Sequence, residues 1–239
     1  AKLLVLTSGG ELKQWAKKYK VPALIFSEKN NPCHQPRIGL GYMVMGGIML
    51  LAKAGVLDFT EEKANLLIKT TAAYAKKFTA LVPQQKNRAK QLANKIIDRS
   101  VWYVSSEHLV GNAHVGANQM NENGKRFAGY FQIPELNHHL LEGLGNPAGN
   151  QENLLFIFLE SKLYDWRVKK GYEITKKILN KKNIRYLSYV CREAEVISQA
   201  GEILALTGFV SFYSALLKKI DPTAIPYVDY FKAQLKKGR

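Results

Sequence analysis

Leu154-Leu155-Phe156-Ile157-Phe158-Leu159 is an unbroken apolar run that reads as a β-strand, and it decides the fold class. Downstream of it, Val168 to Leu179 has an amphipathic pattern and reads as a helix, and Ile184 to Val190 reads as a second strand. Upstream, Val101-Trp102-Tyr103-Val104 is a further buried-strand run, followed by a polar, glycine-containing loop and a helix around Asn118 to Phe127. Glu193 to Ile220 reads as one long helix that Asp221-Pro222 breaks, and Ala224 to Lys236 as a closing helix. The amino-terminal part repeats the alternation. Leu3 to Leu6 is a strand ending in Thr7-Ser8-Gly9-Gly10, Glu11 to Tyr19 a helix, and Ala23 to Phe26 a strand. A turn-rich loop from Asn30 to Pro36 leads to a helix from Arg37 to Ala54. From Thr60 to Asp98 the pattern is almost wholly helical, broken at Pro83. Strand and helix alternating in this order predict an α/β fold: a doubly wound parallel sheet flanked by helices, with ligands at the carboxyl ends of the strands.

Composition bounds the function classes. Of 239 residues, 46% are hydrophobic and 23% charged, as in a packed globular protein. Cys33 and Cys191 lie far apart without metal-ligand spacing, so neither a disulfide framework nor a metal is expected and a reducing compartment is. Met43 to Ala52 is the longest apolar run, well short of the ~20 residues that a spanning helix needs, and no signal peptide is evident. The expected location is the cytoplasm, with no membrane partner. The strand that opens near Ala1 creates the expectation of further chain upstream. The net charge of +16 is spread over scattered pairs, such as Lys76-Lys77, Lys169-Lys170 and Lys181-Lys182, on the expected solvated faces of helices. A nucleic-acid binder would show steep salt dependence, but no helix-turn-helix, zinc or RNP signature accompanies the charge.

The densest polar cluster is Asn118-Gln119-Met120-Asn121-Glu122-Asn123-Gly124-Lys125, followed by Pro134-Glu135-Leu136-Asn137-His138-His139. Crowded amides are poor helix formers, because they compete with the backbone for hydrogen bonds. A carboxylate and an imidazole together supply a proton-transfer pair near neutral pH. On spacing alone, a capped helix followed by a surface loop with a solvent-facing His pair explains the stretch at least as well. His34, His114 and His139 carry weaker signals. The last two read as structural or solvated.

Asn121-Glu122-Asn123-Gly124-Lys125 with Pro134-Glu135-Leu136-Asn137-His138 resembles the Asn-Glu-Asn-Ala-Lys … Pro-Glu-Leu-Asn-His signature of bifunctional phosphoglucose/phosphomannose isomerases. Those proteins are built from paired sugar-isomerase (SIS) domains. The likeness is collinear over nearly the whole chain: Thr7-Ser8-Gly9-Gly10-Glu11-Leu12, Gln35-Pro36-Arg37, and Asp221-Pro222-Thr223 through Asp229-Tyr230-Phe231-Lys232 resemble further family segments in the same order. The resemblance implies an SIS-type sheet with the remnant of a preceding SIS lobe. Residues 1–57 would belong to that first lobe, 58–98 to a helical connector, and 99–239 to the carboxyl-terminal SIS domain. It further implies Glu122 as the base moving a proton between C1 and C2 of an open-chain sugar, and His138 as the ring-opening histidine, delivered from a neighbouring subunit of a homodimer. Arg37 would steady the enediolate and Lys232 would stand near the site. Thr7, Ser8, Gly9, Gln119 and Asn121 are the expected substrate contacts.

The implied activity interconverts glucose 6-phosphate, with mannose 6-phosphate as a further candidate, and fructose 6-phosphate through a cis-enediol, without cofactor or metal. The chain departs from the family where an Arg-aromatic-Lys step usually precedes the base, since Val115 and Ala117 stand there. The family's serine- and threonine-rich phosphate loops would lie upstream of Thr7, so a companion amino-terminal segment is an expected partner. The rival implication is a non-catalytic sugar-phosphate-binding or regulatory SIS protein.

Overall fold

The computed structural model describes residues 3–96 and 98–237. Ala1 and Lys2, where the first strand was expected to open, and Ile97, inside the expected helical stretch to Asp98, lie outside the described residues. The chain divides into two compact units, Ala1–Leu66 and Leu67–Arg239.

In the first unit, strands β1 (Val5–Thr7) and β2 (Ala23–Ile25) pair in parallel with Val5 opposite Ala23. Helix α1 (Gly10–Lys18) joins them, and α2 (Leu40–Lys53) packs on the pair. Helix and sheet approach closely at Gly46, where a Cβ would come 2.7 Å from Leu6 Cδ1. Helix α3 (Glu61–Phe78) carries the chain across the division between the units.

The second unit continues with a 3-10 turn at Gln84–Lys86 and α4 (Arg88–Ile96). Then come β3 (Ser100–Ser105), a 3-10 turn at Glu107–Leu109 and α5 (Val110–Glu122). Strand β4 (Ala128–Gln132) is followed by α6 (Leu136–Gly143), a short α7 (Asn150–Asn153) and β5 (Leu154–Glu160). Helix α8 (Trp166–Lys181), β6 (Arg185–Val190), α9 (Val196–Leu217) and α10 (Pro226–Lys237) complete it. The sheet has the order β4-β3-β5-β6 with every pairing parallel, for example Val101 opposite Ala128 on one side and Leu155 on the other. Winding runs outward from the centre in both directions, so the order reverses between β3 and β5. In doubly wound sheets such a reversal is where ligands commonly bind, at the carboxyl ends of the strands. Helices α4, α5 and α9 pack together on one face, while α6 and α8 pack together apart from them. Strand β5 is buried almost end to end, which is why its sequence does not alternate.

Three local expectations are corrected. The stretch from Ser106 to Ala117, expected as a loop, contains the start of α5, and the helix expected to reach Phe127 ends at Glu122. Strand β4 and helix α6 were not expected at all. Helix α9 begins at Val196 rather than Glu193. The reason in the last case is a carboxylate. Glu202 is fully buried and accepts the backbone N–H groups of Arg192 and Glu193 and the Tyr189 hydroxyl, which holds those residues out of the helix.

Helix α5 forms despite its glycines because packing overrides propensity. Gly116 faces α9, where a Cβ would stand 2.9 Å from Thr207 Cγ2. Thr207 cannot simply rotate away, since its hydroxyl donates to Ile203 O at 3.0 Å and reaches Gln119 Oε1 at 3.3 Å. Gly116→Ala is therefore expected to destabilise the protein by about 1–3 kcal/mol despite the gain in helix propensity. Urea titration should show a lower midpoint at an unchanged slope. A higher midpoint would mean that the α5–α9 contact relaxes freely. Helix α9 is long and apolar enough to cross a membrane by length and composition, but most of it is buried inside the protein.

Candidate active site

The carboxyl end of α5 is built by a tight reversal. Asn123 N–H donates to Gln119 O at 2.7 Å, Gly124 N–H to the same oxygen at 3.2 Å, and Arg126 N–H to Met120 O at 3.2 Å. Any side chain at Gly124 would collide with Met120, whose Sδ and O lie 2.6 and 2.7 Å from the Cβ position. Lys125 follows with φ of 50°, in the left-handed region. This reversal presents the half-buried Glu122 to a cavity of about 500 Å³. Its walls include Lys125, Ile220, Asp221, Ile225 and the first turn of α10 (Pro226, Tyr227, Val228), and it is mostly apolar.

The amides around Glu122 have structural partners. Asn121 Nδ2 donates to Ala117 O at 2.9 Å and Ala128 O at 2.8 Å, and its Oδ1 accepts Ala128 N–H at 3.1 Å. One side chain thus clips the helix end to the start of β4. Gln119 Oε1 accepts from Thr207 on α9, and Asn123 Nδ2 reaches Ser211 Oγ at 3.5 Å. The amides that looked too polar for scaffold are the scaffold that seats the carboxylate. Gln119 and Asn121, expected at the substrate, are both engaged in this way. Ala117 is buried in the core and Val115 half-buried on the same helix.

Lys232 is exposed on α10, one turn beyond Val228 on the same helical face. His138 stands elsewhere. It is exposed in the first turn of α6 and lines a second cavity, about 670 Å³, with Ser106, Glu107, Gln132 and Glu135. Helix α5 starts at the carboxyl edge of the sheet and runs 13 residues, about 20 Å at 1.5 Å per residue, to the opposite edge. His138 follows the carboxyl end of β4. Within one chain the structure therefore places Glu122 and His138 at opposite edges of the sheet.

The remaining expected residues lie in the first unit. Arg37 is half-buried in the turn before α2, with Nη1 donating to Gln35 Oε1 at 2.8 Å. Thr7 closes β1; its hydroxyl donates to Gly9 O at 2.9 Å and accepts Gly9 N–H at 3.2 Å. Ser8 and Gly9 form the bend, and Gly10 has φ of +64°, which a side chain would disfavour. His34 lies 3.7 Å from Glu28, His114 stacks on Tyr130, and His139 packs against Phe131.

The carboxyl edge of the sheet holds groups that sequence reading passed over. Glu107 has φ of 45° and accepts Asp165 N–H at 2.9 Å. Ser106 Oγ donates to Ile133 O at 2.5 Å. Glu202, the single acidic residue in the apolar run of α9, was visible as an anomaly in the sequence. Burial foremost, and then the Glu202 charge, push the Cys191 thiol well above its ordinary range, so it remains protonated.

Residues 85–235 match the family described as the bacterial phospho-glucose isomerase C-terminal SIS domain. The chain is 27% identical over 244 residues to a bifunctional phosphoglucose/phosphomannose isomerase of Caldicellulosiruptor bescii, covering 98% of this chain and 68% of the relative. A protein of the same name from Aquifex aeolicus is 27% identical over 241 residues, covering 99% and 68%. Among solved structures, a hypothetical protein of Thermus thermophilus superposes with a TM-score of 0.74 at 16% identity, over 99% of this chain and 62% of that one. A tagatose-6-phosphate ketose/aldose isomerase of Escherichia coli gives 0.66 at 14% identity, over 92% and 61%. The chain thus spans about two thirds of the length of these relatives, and the solved structures share its fold.

Proposed function

Because this chain belongs to the bacterial phospho-glucose isomerase C-terminal SIS domain family, we propose that it is an aldose–ketose isomerase of sugar 6-phosphates with Glu122 as the base. The substrates we assign are glucose 6-phosphate and mannose 6-phosphate, both yielding fructose 6-phosphate, in keeping with the names of its two relatives. One observation carries the reading: the Glu122 carboxylate is held by a purpose-built helix end at the wall of a cavity that the α10 arm closes.

In the open-chain aldose, Glu122 takes the proton from C2, α to the C1 carbonyl, and the electrons move into a C1–C2 enediolate. The O2 hydroxyl proton passes to O1, and the protonated carboxyl returns its own proton to C1, leaving a hydroxyl on C1 and the carbonyl at C2. Charge builds on oxygen during the first step, where the Lys232 ammonium stabilises it. Asn121 acts through the helix end rather than on the sugar, since both ends of its amide are engaged.

His138, at the far edge of the sheet, opens the sugar ring in the cavity of a second copy of the chain. The active species is therefore a homodimer with shared sites. The test is complementation in a coupled fructose 6-phosphate assay. Glu122→Gln and His138→Ala homodimers should each be severely impaired, while mixed dimers regain turnover at the one site holding both native residues. A His138→Ala variant at the parent rate, or no recovery on mixing, would overturn the shared site. Binding of 6-phosphogluconate with conversion of neither aldose would overturn the isomerase reading in favour of a sensor.

A further inference from the structure

Helix α10 carries Lys232, yet none of its residues is buried, so packing does little to fix where it lies. Lys125 joins its root to the site. Lys125 Nζ donates to Glu122 O at 2.6 Å and to Pro222 O at 3.4 Å, and it also donates to Ala224 O. An ammonium has three donors and no acceptor, so one cation gathers three carbonyls from two separate segments. The Glu122 carbonyl is among the last in α5, where no N–H of the helix is available to it and a cation is favoured. The backbone of Lys125 is turned into the left-handed region, uncommon for a residue with a side chain. That turn directs the stem back under the helix end. Across the gap, Asp221 Oδ1 accepts Thr223 N–H at 2.8 Å, shaping the Asp221-Pro222-Thr223 turn so that the carbonyls of Pro222 and Ala224 both meet the ammonium.

We propose that Lys125 is a positioning residue that locks the α10 arm onto the Glu122 end of α5, and so sets where Lys232 stands relative to the base. The clasp acts through the backbone carbonyls of Glu122, Pro222 and Ala224. This inference rests on the isomerase reading for its kinetic consequence but not for its structural one.

The test compares Lys125→Met, which keeps the stem and removes the donors, with Lys125→Arg, which restores charge and donors. In the whole protein, Lys125→Met should accelerate amide hydrogen exchange across residues 226–237 and leave α5 protected, and it should lower kcat about 100-fold with KM nearly unchanged. Lys125→Arg should recover most of both losses. In a Lys232→Met background the added loss should shrink to less than about threefold, because the clasp then has nothing to position. Unchanged exchange in α10 would overturn the clasp, and losses that multiply in the double variant would overturn its action through Lys232. If Lys125→Met does not fold, Lys125→Gln takes its place in the same measurements. A Glu122→Gln control separates the layers: parent-rate turnover there would remove the base assignment while the exchange test still decides the clasp.

Discussion

Glu122→Gln is expected to lower isomerase turnover by about 100- to 10,000-fold, the usual contribution of a positioned general base. The carboxylate has the proton affinity to take a hydrogen from C2 and return it to C1, and an amide has none. Shape and length are preserved, so the reversal at Gly124 and the clip from Asn121 to Ala128 should survive. The half-buried side chain makes the stability change small, within about 0.5 kcal/mol. Glu122→Asp should fall between the two, since the charge remains but is withdrawn by one methylene from a fixed substrate carbon. A coupled assay run beside thermal melts reads both quantities. If the Gln variant melts early but turns over at the parent rate, Glu122 is scaffold and the base must be sought elsewhere.

The largest stability effect is expected at Glu202. Its carboxylate is wholly buried and accepts the Tyr189 hydroxyl at 2.8 Å, Arg192 N–H at 3.0–3.1 Å and Glu193 N–H at 3.1 Å. Glu202→Ala leaves three donors without their acceptor and opens a cavity between α9 and the loop after β6. The combined cost should reach about 3–5 kcal/mol, a large share of the ~5–15 kcal/mol that holds a domain together. Glu202→Gln should be milder, keeping the volume while turning an N–H₂ toward groups that also donate. Urea unfolding of the two variants measures the difference. A loss under about 1 kcal/mol for the alanine variant would mean that water replaces the carboxylate, and that the loop before α9 has no need of it. Tyr189 belongs to the same arrangement: burial first, and then the Glu202 charge, push its hydroxyl above the usual tyrosine range.

Legibility in the sequence followed the strength of local pattern. Strand β5 and helix α8 were readable because an apolar run and a helical period persist there over many residues. Strand β4, Ala128-Gly129-Tyr130-Phe131-Gln132, has neither, and it exists because β3 supplies its hydrogen-bond partners on one side and Asn121 its first clip. Helix α5 was obscured by Gly111, Gly116 and its asparagines; Gly116 answers to Thr207 and Asn112 to the Ala200 carbonyl, both distant in sequence. In the candidate site, Glu122 stood out because carboxylate and amides were crowded together, but the crowding was misleading about its own cause. Those amides bind backbone and α9.

By itself the sequence determined the class of the fold and the alternation of its strongly patterned elements, though not β4 or α6, because strand and helix periods are properties of contiguous residues. It also determined which residues carry the family's signature, since Glu122, His138, Arg37 and Lys232 fall in collinear motifs. Only the tertiary structure decided which of these share a cavity. Glu122 and the root of the Lys232 helix meet because Lys125 gathers carbonyls about a hundred residues apart, whereas His138, sixteen residues from Glu122 along the chain, is carried to the other edge of the sheet by the return through β4. Separation along the chain says nothing about separation in space once a strand intervenes, because each crossing of the sheet exchanges one edge for the other.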